Sequence, residues 1–238
     1  MGKWSKHQLM EQDERLKEYL PHTSLFTPDT LWEYTDRYPI VMVKPSGGQG
    51  GAGVIQLTRL EEDTYRIHTG STKRTIRGKG PTLSYLRSLF IPKPYLLQPR
   101  IPLGRINGRP FDLRVMVQRK KGETWRVTGW LAKVAGPGYV VTNIRRSGGK
   151  VVPLRTAIEL SDVKQSSEIL PHVRKVALMT AHRLGNVYKS LRLVGIDMGI
   201  DVDGKPWIIE ANFRPALSLF QKLQDKTLYN RICSYLKR

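Results

Sequence analysis

Cysteine is almost absent from this chain of 238 residues, which has only Cys233. A lone cysteine excludes an internal disulfide, and no His/Cys cluster has the spacing of a zinc site. Long apolar runs are also missing, since none approaches the roughly 20 residues that a bilayer-spanning helix needs. Charged residues stand where a secretory signal would have its apolar core. We therefore expect a cytoplasmic protein without a membrane span.

Acidic residues are scarce relative to basic ones. The chain has 40 Lys and Arg against 20 Asp and Glu, a net charge of +20. The excess is concentrated in residues 66–155, where 20 Lys and Arg stand against only Asp112 and Glu123. Such a field attracts nucleic acid, phosphorylated small molecules, acidic peptides or anionic polymers. A basic surface that only keeps the protein soluble has the same composition, so charge alone names no partner.

The pattern of apolar residues predicts an α+β fold with two lobes. Residues 1–20 contain an N-terminal helix over 4–20. Residues 21–98 form a first lobe, with helices at 28–38 and 81–90 and strands at 40–43, 54–57, 65–69, 74–76 and 95–98. Residues 99–238 form a second lobe, with strands at 111–118, 125–134 and 139–143, a helix at 171–191, a hairpin at 195–212 and a closing helix at 219–237.

A glycine-rich segment follows the strand that ends at Lys44. Five of the seven residues from Gly47 to Gly53 are glycine, and the segment joins two predicted strands. Backbone N–H groups in such a loop can approach phosphate oxygens, and Lys44 adds a fixed positive charge. The segment differs from a Walker A loop and from a Rossmann fingerprint, whose glycines open a helix. A phosphate-binding loop and a flexible hairpin tip both remain open.

Two carboxylates are predicted to face each other in the hairpin. Asp203-Gly204 signals a two-residue turn, and a turn there places Asp197 directly opposite Glu210. Facing carboxylates repel and need a shared cation or a proton, and Asn212 lies on the same face by the two-residue period of a strand. These three oxygen donors suit Mg²⁺. Salt bridges to arginine are the alternative, and Asp201 is a candidate substitute donor.

The strand at 111–118 is predicted to have one polar face. Alternation places Asp112 and Arg114 together there, opposite an apolar face. Arg114 can hold a phosphate or an acyl phosphate with Asp112 orienting it, and a plain ion pair between the two is the alternative. Lys133 ends the neighbouring strand, and Asn143 lies in a polar segment that ends in two glycines. Both side chains are candidates to reach the same phosphate.

Taken in chain order, these segments resemble the ATP-grasp superfamily. The resemblance rests on Lys44-Pro45 with its glycine loop, Phe111-Asp-Leu-Arg114, Thr142-Asn143, and Asp197 followed by Glu210-Ala-Asn212. Together with Pro21-His-Thr23, they look most like the YheC/YheD spore-coat-associated proteins. RimK-like ligases and D-alanine–D-alanine ligases are more distantly similar. The resemblance extends from Lys3 to about Phe220.

The resemblance implies an ATP-grasp fold whose two α+β lobes clamp ATP and Mg²⁺. It assigns Lys44, Ser46, Gly47, Gly48, Gly50, Gly51, Gly53, Gln98, Ile101 and Lys3 to the nucleotide. It assigns Asp197, Glu210 and Asn212 to the metal and Arg114 to a phosphate. With the candidates Lys133 and Asn143 from the polar segments, Arg114 makes up the predicted catalytic set. The leading domain usual in these ligases is expected to be absent. Gly195 replaces an arginine of the D-alanine–D-alanine ligases, so Arg145 or Arg146 would have to supply that charge.

The implied reaction activates a carboxylate as an acyl phosphate for attack by an amine or a thiol. Phe213-Arg214-Pro215 replaces the small residues of the D-alanine–D-alanine ligases, which favours an anionic small molecule, peptide or polymer as substrate. A kinase of a phosphorylated substrate is the second hypothesis. The third is a basic polyanion-binding protein with a vestigial ATP site, for which nucleic acid is a less favoured partner. The resemblance also implies association with spores.

Overall fold

The computed structural model of the chain describes residues 2–48, 50–61, 63–139, 142 and 144–236, with only the backbone for 145 and 146. The first residues form two helices, α1 (Lys3–Glu11) and α2 (Glu14–Lys17), so the single helix predicted over 4–20 is wrong. The break lies at Asp13, because its side chain accepts a hydrogen bond from the Arg15 backbone N–H and caps α2. Asn143 of the predicted site lies outside the described residues.

The small lobe consists of an antiparallel sheet covered by two helices. Its strands are β1 (Ser24–Leu25), β2 (Ile40–Pro45), β3 (Ile55–Glu61), β4 (Thr64–Thr69), β5 (Thr72–Arg77) and β6 (Tyr95–Pro99), in the order β1-β6-β2-β3-β4-β5. The helices are α3 (Pro28–Arg37) and α4 (Lys79–Ser88). Val41 and Val43 of β2 are buried in the core beneath the helices. Met42 and Lys44 alternate with them and therefore lie on the opposite face.

Helix α3 begins where the sequence predicts. The Thr27 hydroxyl accepts a hydrogen bond from the Thr30 backbone N–H at 3.1 Å, and the Thr30 hydroxyl accepts one from the Thr27 backbone N–H at 2.8 Å. This reciprocal cap satisfies two backbone donors, and Pro28 in the first turn needs no partner for a backbone N–H.

The large lobe is built on a second antiparallel sheet. Its strands are β7 (Arg105–Ile106), β8 (Arg109–Gln118), β9 (Arg126–Val134), β10 (Lys150–Val152), β11 (Leu193–Ile200) and β12 (Pro206–Asn212), in the order β10-β9-β8-β11-β12 with β7 beside β8. The helices are α5 (Ile144–Ser147), α6 (Leu154–Glu159), α7 (Ile169–Val187) and α8 (Thr227–Ser234). The helix predicted over 171–191 is present as α7, and its long apolar face packs into the core with the apolar face of β8.

Two predicted elements of this lobe are wrong. No strand runs through Tyr139 and Thr142, the described residues of the stretch 139–143, because Pro137 and Gly138 form a turn that ends the extended run. The edge beside β9 is instead occupied by β10. The closing helix predicted over 219–237 is divided into a short 3-10 turn at Phe220–Lys222 and helix α8.

The C-terminal segment from Phe220 to Ile232 covers part of one face of the large sheet and leaves the rest exposed to the cleft. Phe220 and Ile232 pack over Met116 and Leu131, which share that face further along the strands. The open remainder carries the charged side chains of β8 and its neighbours and lines a cleft. Among the residues that the structure describes, no helix combines the length and apolar composition needed to cross a membrane.

Candidate functional site

A cleft of about 590 Å³ lies between the polar faces of the two sheets. This volume lies within the usual range for small-molecule sites. The cleft brings together most of the residues predicted for the nucleotide, the metal and the reacting groups, namely Lys3, Lys44, Gly50, Gly51, Gln98, Ile101, Arg114, Lys133, Asp197, Glu210 and Asn212. These residues come from segments that lie far apart in the chain, so the fold alone unites them.

The charged side chains on the cleft floor come from three adjacent strands. The strand register sets Arg114 of β8 opposite Asp197 of β11, and Asp112 of β8 opposite Lys133 of β9. Arg114 and Asp112 share a face, as alternation predicts. The floor therefore holds two cations and two carboxylates whose side chains are about nine-tenths buried.

Asp197 is the centre of this network. The Arg114 guanidinium donates hydrogen bonds to both of its carboxylate oxygens, at 3.0 and 2.9 Å. The Lys133 ammonium donates at 2.8 Å, and the Asn212 amide nitrogen donates at 3.1 Å. Burial opposes ionisation of Asp197, but the Lys133 and Arg114 cations outweigh it and hold its pKa well below the usual range.

Asp112 does not orient Arg114, contrary to the sequence prediction. Its carboxylate lies 2.9 Å from the Lys133 ammonium and accepts a hydrogen bond from the Thr142 hydroxyl. Burial raises the pKa of Asp112 above its ordinary value, although Lys133 acts in the opposite direction. Burial would also lower the pKa of Lys133, but Asp112 and Asp197 raise it, so the ammonium stays charged between the two carboxylates.

The hairpin of β11 and β12 places Asp197 directly opposite Glu210, as predicted, although its turn is different. The predicted two-residue turn is wrong, because Asp201 accepts hydrogen bonds from the backbone N–H groups of Asp203 and Lys205 and closes a longer turn. Met198 then faces Ile208, and a register shift after Asp197 restores the predicted alignment. Asp201 is thus used in the turn and is not a substitute metal donor.

The donor set of Asp197, Glu210 and Asn212 fits Mg²⁺ in its chemistry, since all three supply hard oxygen atoms. The Glu210 carboxylate is partly exposed in the cleft and lies 3.5 Å from the Lys3 ammonium. The Asn212 side chain donates a hydrogen bond to Asp197 through its amide nitrogen. Its amide oxygen therefore remains available for another partner. Among the described residues, no three His, Cys, Asp or Glu side chains lie together in a way that could hold a metal ion. The predicted magnesium site therefore has three protein donors only if the Asn212 amide oxygen is one of them.

The glycine loop has the backbone conformation that its composition predicts. Gly48, Gly50, Gly51 and Gly53 all have φ between 67° and 116°, a region that other residues adopt only with strain. Gly50 and Gly51 line the cleft. The other predicted loop residues, Ser46, Gly47, Gly48 and Gly53, do not line it, and Ser46 accepts a hydrogen bond from the Lys3 backbone N–H at 2.7 Å.

Lys44 and Lys3 form a cationic wall on the small-lobe side of Glu210. Burial, reinforced by the charge of Lys3, lowers the pKa of Lys44 to about 8, while Glu210 acts in the opposite direction. A bound anion favours the charged form of a lysine whose pKa is lowered by burial and by a neighbouring cation. The position suits a phosphate group that would otherwise be repelled by the carboxylate.

The hinge between the lobes forms the apolar end of the cleft. Ile101 lies there beside Met42, Leu103 and Ile209. Gln98 also lines the cleft, but its amide donates a 2.6 Å hydrogen bond to the Thr23 hydroxyl and is buried. Apolar walls at one end and charged groups at the other suit a ligand with an apolar part and an anionic part.

Sequence reasoning missed Lys6 and His7, which line a small cavity of about 20 Å³ between α1, Lys44 and Glu210. Both side chains are buried. The spacing of Lys3, Lys6, His7 and Met10 places them on one helical face, and this pattern could have identified them. Burial and the charge of Lys44, with a smaller effect of His22, lower the pKa of His7 to about 4.

Comparison with known proteins identifies a family and several relatives. A family model described as YheC/D like ATP-grasp matches residues 1–237. The endospore coat-associated protein YheD of Bacillus subtilis (strain 168) is 32% identical over 226 residues, which are 92% of this chain and 49% of YheD. YheC of the same organism is 24% identical over 98% of this chain and 67% of its own length. The chain thus spans about half of YheD.

Solved structures of known enzymes share the fold. D-cycloserine synthetase DcsG superposes with a TM-score of 0.57 over 99% of this chain and 70% of that chain, at 12% identity. The L-amino acid ligase from Bacillus licheniformis superposes with a TM-score of 0.56 over 99% of this chain and 47% of that chain, at 13% identity. At such low identities the likeness establishes the fold alone.

Proposed function

The chain belongs to the YheC/D-like ATP-grasp family, and on this premise we propose that it is an ATP- and Mg²⁺-dependent ligase. The observation that carries the proposal is the single cleft in which a glycine loop, two lysines and a buried Arg114–Asp197–Lys133 network meet. If the salt bridges only stabilised the sheet, there would be no reason for Lys44 and Lys3 to line the same cleft as this network.

Each wall of the cleft has a role in binding the nucleotide. Lys44 and Lys3 hold the phosphates beneath the backbone of Gly50 and Gly51, and Ile101 with Gln98 receives the adenine end. Ser46, Gly47, Gly48 and Gly53 shape the loop from outside the cleft. Asp197, Glu210 and Asn212 hold Mg²⁺, which when bound stabilises the negative charge of the phosphoryl group during transfer.

The chain's own cations then act on the reacting groups. Arg114 and Lys133, which pair with carboxylates of the cleft floor, stabilise the negative charge that develops as the acyl phosphate forms. We assign Asn143 to the same step. The substrate carboxylate attacks the γ-phosphorus of ATP, which gives the acyl phosphate and releases ADP. An amine or a thiol then attacks the acyl carbon and loses its proton, the acyl–phosphate bond breaks, and free phosphate leaves with the new amide or thioester formed. No side chain of the protein forms a covalent bond in this scheme. The basic rim, with Arg100 and Arg214 lining the cleft, favours an anionic substrate.

The biological setting proposed for the chain follows from its relatives. YheD and YheC are named endospore coat-associated proteins. PsnB, a structural neighbour, is described as an ATP-grasp ligase in complex with a precursor variant, Mg and ADP. We therefore propose that this protein acts in the cytoplasm of a spore-forming cell, on an anionic small molecule, peptide or polymer.

Calorimetric titration of MgATP into the purified protein tests the proposal. We expect saturable binding by the wild type and binding at least about tenfold weaker by Glu210→Gln, because a metal donor loses its charge. Glu14→Gln, on the exposed surface of α2, is the matched control and should bind like the wild type. Absence of binding by the wild type at moderate salt would refute the ATP site.

Product analysis then separates the ligase from a kinase. A ligase releases free phosphate and a condensed product in the presence of carboxylate and amine. A kinase leaves the phosphate on the acceptor. Acceptors can be screened by ADP release once MgATP binding is established.

A further inference from the structure

Lys6 of α1 is a buried ammonium without a carboxylate partner among the described residues. Its side chain is 8% exposed, and its ammonium donates a hydrogen bond to the backbone carbonyl of Ala211. The Phe213 ring centroid lies 5.3 Å away. No described Asp or Glu oxygen lies within 4.0 Å of it: Glu210 forms its ion pair with Lys3 and acts on the Lys6 charge only from a greater distance.

Burial of such a charge costs free energy, so packing does not explain Lys6. Met10 lies on the same face of α1, is equally buried and fills the core of the large lobe. A methionine would suit the position of Lys6 in the same way, with a similar length and no charge. The ammonium therefore points to a role in the polar contact that it makes.

That contact is made with an edge strand. β12 ends the large sheet, so within the described part of the chain no strand pairs with its outer backbone groups. The N-terminal segment covers this edge at two points, where Lys6 binds the Ala211 carbonyl and the Tyr19 carbonyl accepts the Ile208 N–H at 2.8 Å. Ala211 lies between Glu210 and Asn212, so the Lys6 contact is the one next to both predicted metal donors.

We propose that Lys6 is a positioning residue that fixes the β12 edge, and with it Glu210 and Asn212, in the geometry that binds the metal–nucleotide complex. The inference rests on the proposed ATP site. Helix α1 thereby forms a third side of that site. Its backbone binds the glycine loop through Lys3 and Ser46, and its Lys6 side chain binds the metal strand.

The test compares nucleotide binding with and without Mg²⁺ in Lys6→Met, Lys6→Arg and Gln8→Met. Gln8 lies on the exposed face of the same helix and is the matched control. We expect Lys6→Met to weaken MgATP binding about tenfold, as loss of groups that orient metal ligands does. Binding of ATP in EDTA should change little, Gln8→Met should match the wild type, and Lys6→Arg should recover most of the MgATP affinity.

The outcomes separate this inference from the proposed function. A wild type that binds no MgATP refutes the proposed function, whereas a Lys6→Met variant that binds MgATP as the wild type does refutes only the role of Lys6. Equal loss of binding with and without Mg²⁺ would mean that Lys6 stabilises the fold in general and would overturn the inference. If Lys6→Met does not fold, the same comparison is made with Lys6→Gln, whose donor is neutral and sits on a side chain one atom shorter. A loss of MgATP binding without an equal loss in EDTA is again expected, and unchanged MgATP binding would overturn the inference.

Discussion

The Arg114 guanidinium holds both carboxylate oxygens of Asp197 across two adjacent strands, at 3.0 and 2.9 Å. The same carboxylate binds Lys133, which also contacts Asp112. A carboxylate in this position therefore pairs with two buried cations, one of which it shares with Asp112. The arrangement links the stability of the large sheet to the chemistry of the cleft.

Removal of the Asp197 charge should destabilise the protein strongly. Asp197→Asn leaves Arg114 and Lys133 with one carboxylate between them, and we expect the free energy of unfolding to fall by about 3 kcal/mol. Urea denaturation measures this change. Asp203→Asn is the control, because its pair with Lys164 is exposed and should contribute little. Similar effects of the two substitutions would contradict the central role of Asp197.

His7 should make stability depend on pH. Burial and the charges of Lys44 and His22 lower its pKa to about 4, and Glu11 lies 3.8 Å from its Nε2. Between pH 6.5 and pH 4 this histidine is protonated in the unfolded state but still neutral in the folded state. The free energy of unfolding should therefore decrease by up to about 3 kcal/mol as the pH is lowered from 6.5 to 4. His7→Gln should remove this part of the pH dependence, whereas replacement of the exposed His182 should not. Parallel curves for His7→Gln and the wild type would refute the prediction.

Nucleotide binding should depend on the protonation of Lys44. The pKa of Lys44 is about 8 in the free protein, and a bound phosphate favours its charged form. ATP affinity should therefore fall about fivefold between pH 8 and pH 9. Lys44→Met should bind more weakly at pH 7 and lose this dependence, while Lys17→Met on the exposed face of α2 should keep it. Calorimetry at several pH values checks both statements, and an unchanged slope in Lys44→Met would contradict them.

Gly195 should not tolerate a side chain. A Cβ there would lie 2.4 Å from the Pro215 Cβ and 2.9 Å from the Pro215 Cγ. Gly195→Ala should therefore destabilise the protein by about 2 kcal/mol and shift the segment that follows Asn212, which weakens MgATP binding. Gly80→Ala is the control, since a Cβ at Gly80 would have no other atom within 4 Å and alanine favours a helix. Equal denaturation midpoints of the two variants would show that Pro215 moves freely.

The position of Asp197 opposite Glu210 was predicted correctly from the sequence, although the turn type on which the prediction relied was wrong. The turn signal at Asp203-Gly204 aligned the two strands, although the turn is longer than two residues. A register shift after Asp197 compensates for it. The strands themselves were predicted reliably because their alternating or continuous apolar residues reflect burial, whereas the longer turn depends on contacts of the Asp201 carboxylate with the turn backbone.

The partner of Arg114 could not be predicted in the same way. Asp112 lies two residues away on the same face of β8, so proximity in the chain favoured it. The structure instead pairs Arg114 with Asp197, because β11 lies beside β8 in the sheet and the register sets the two residues opposite each other. The sequence does not specify which strand becomes the neighbour.

The sequence by itself determined the alternating faces of the strands, the apolar face of α7, the cap of α3 and the glycine loop, because these depend on residues close together in the chain. Tertiary structure alone decided that α1 covers the edge of β12, that Lys6 contacts Ala211, and that Asp197 balances both Arg114 and Lys133. These contacts join residues from 64 to 205 positions apart. Their formation depends on packing of the two sheets and of α7, because this packing brings distant segments of the chain together.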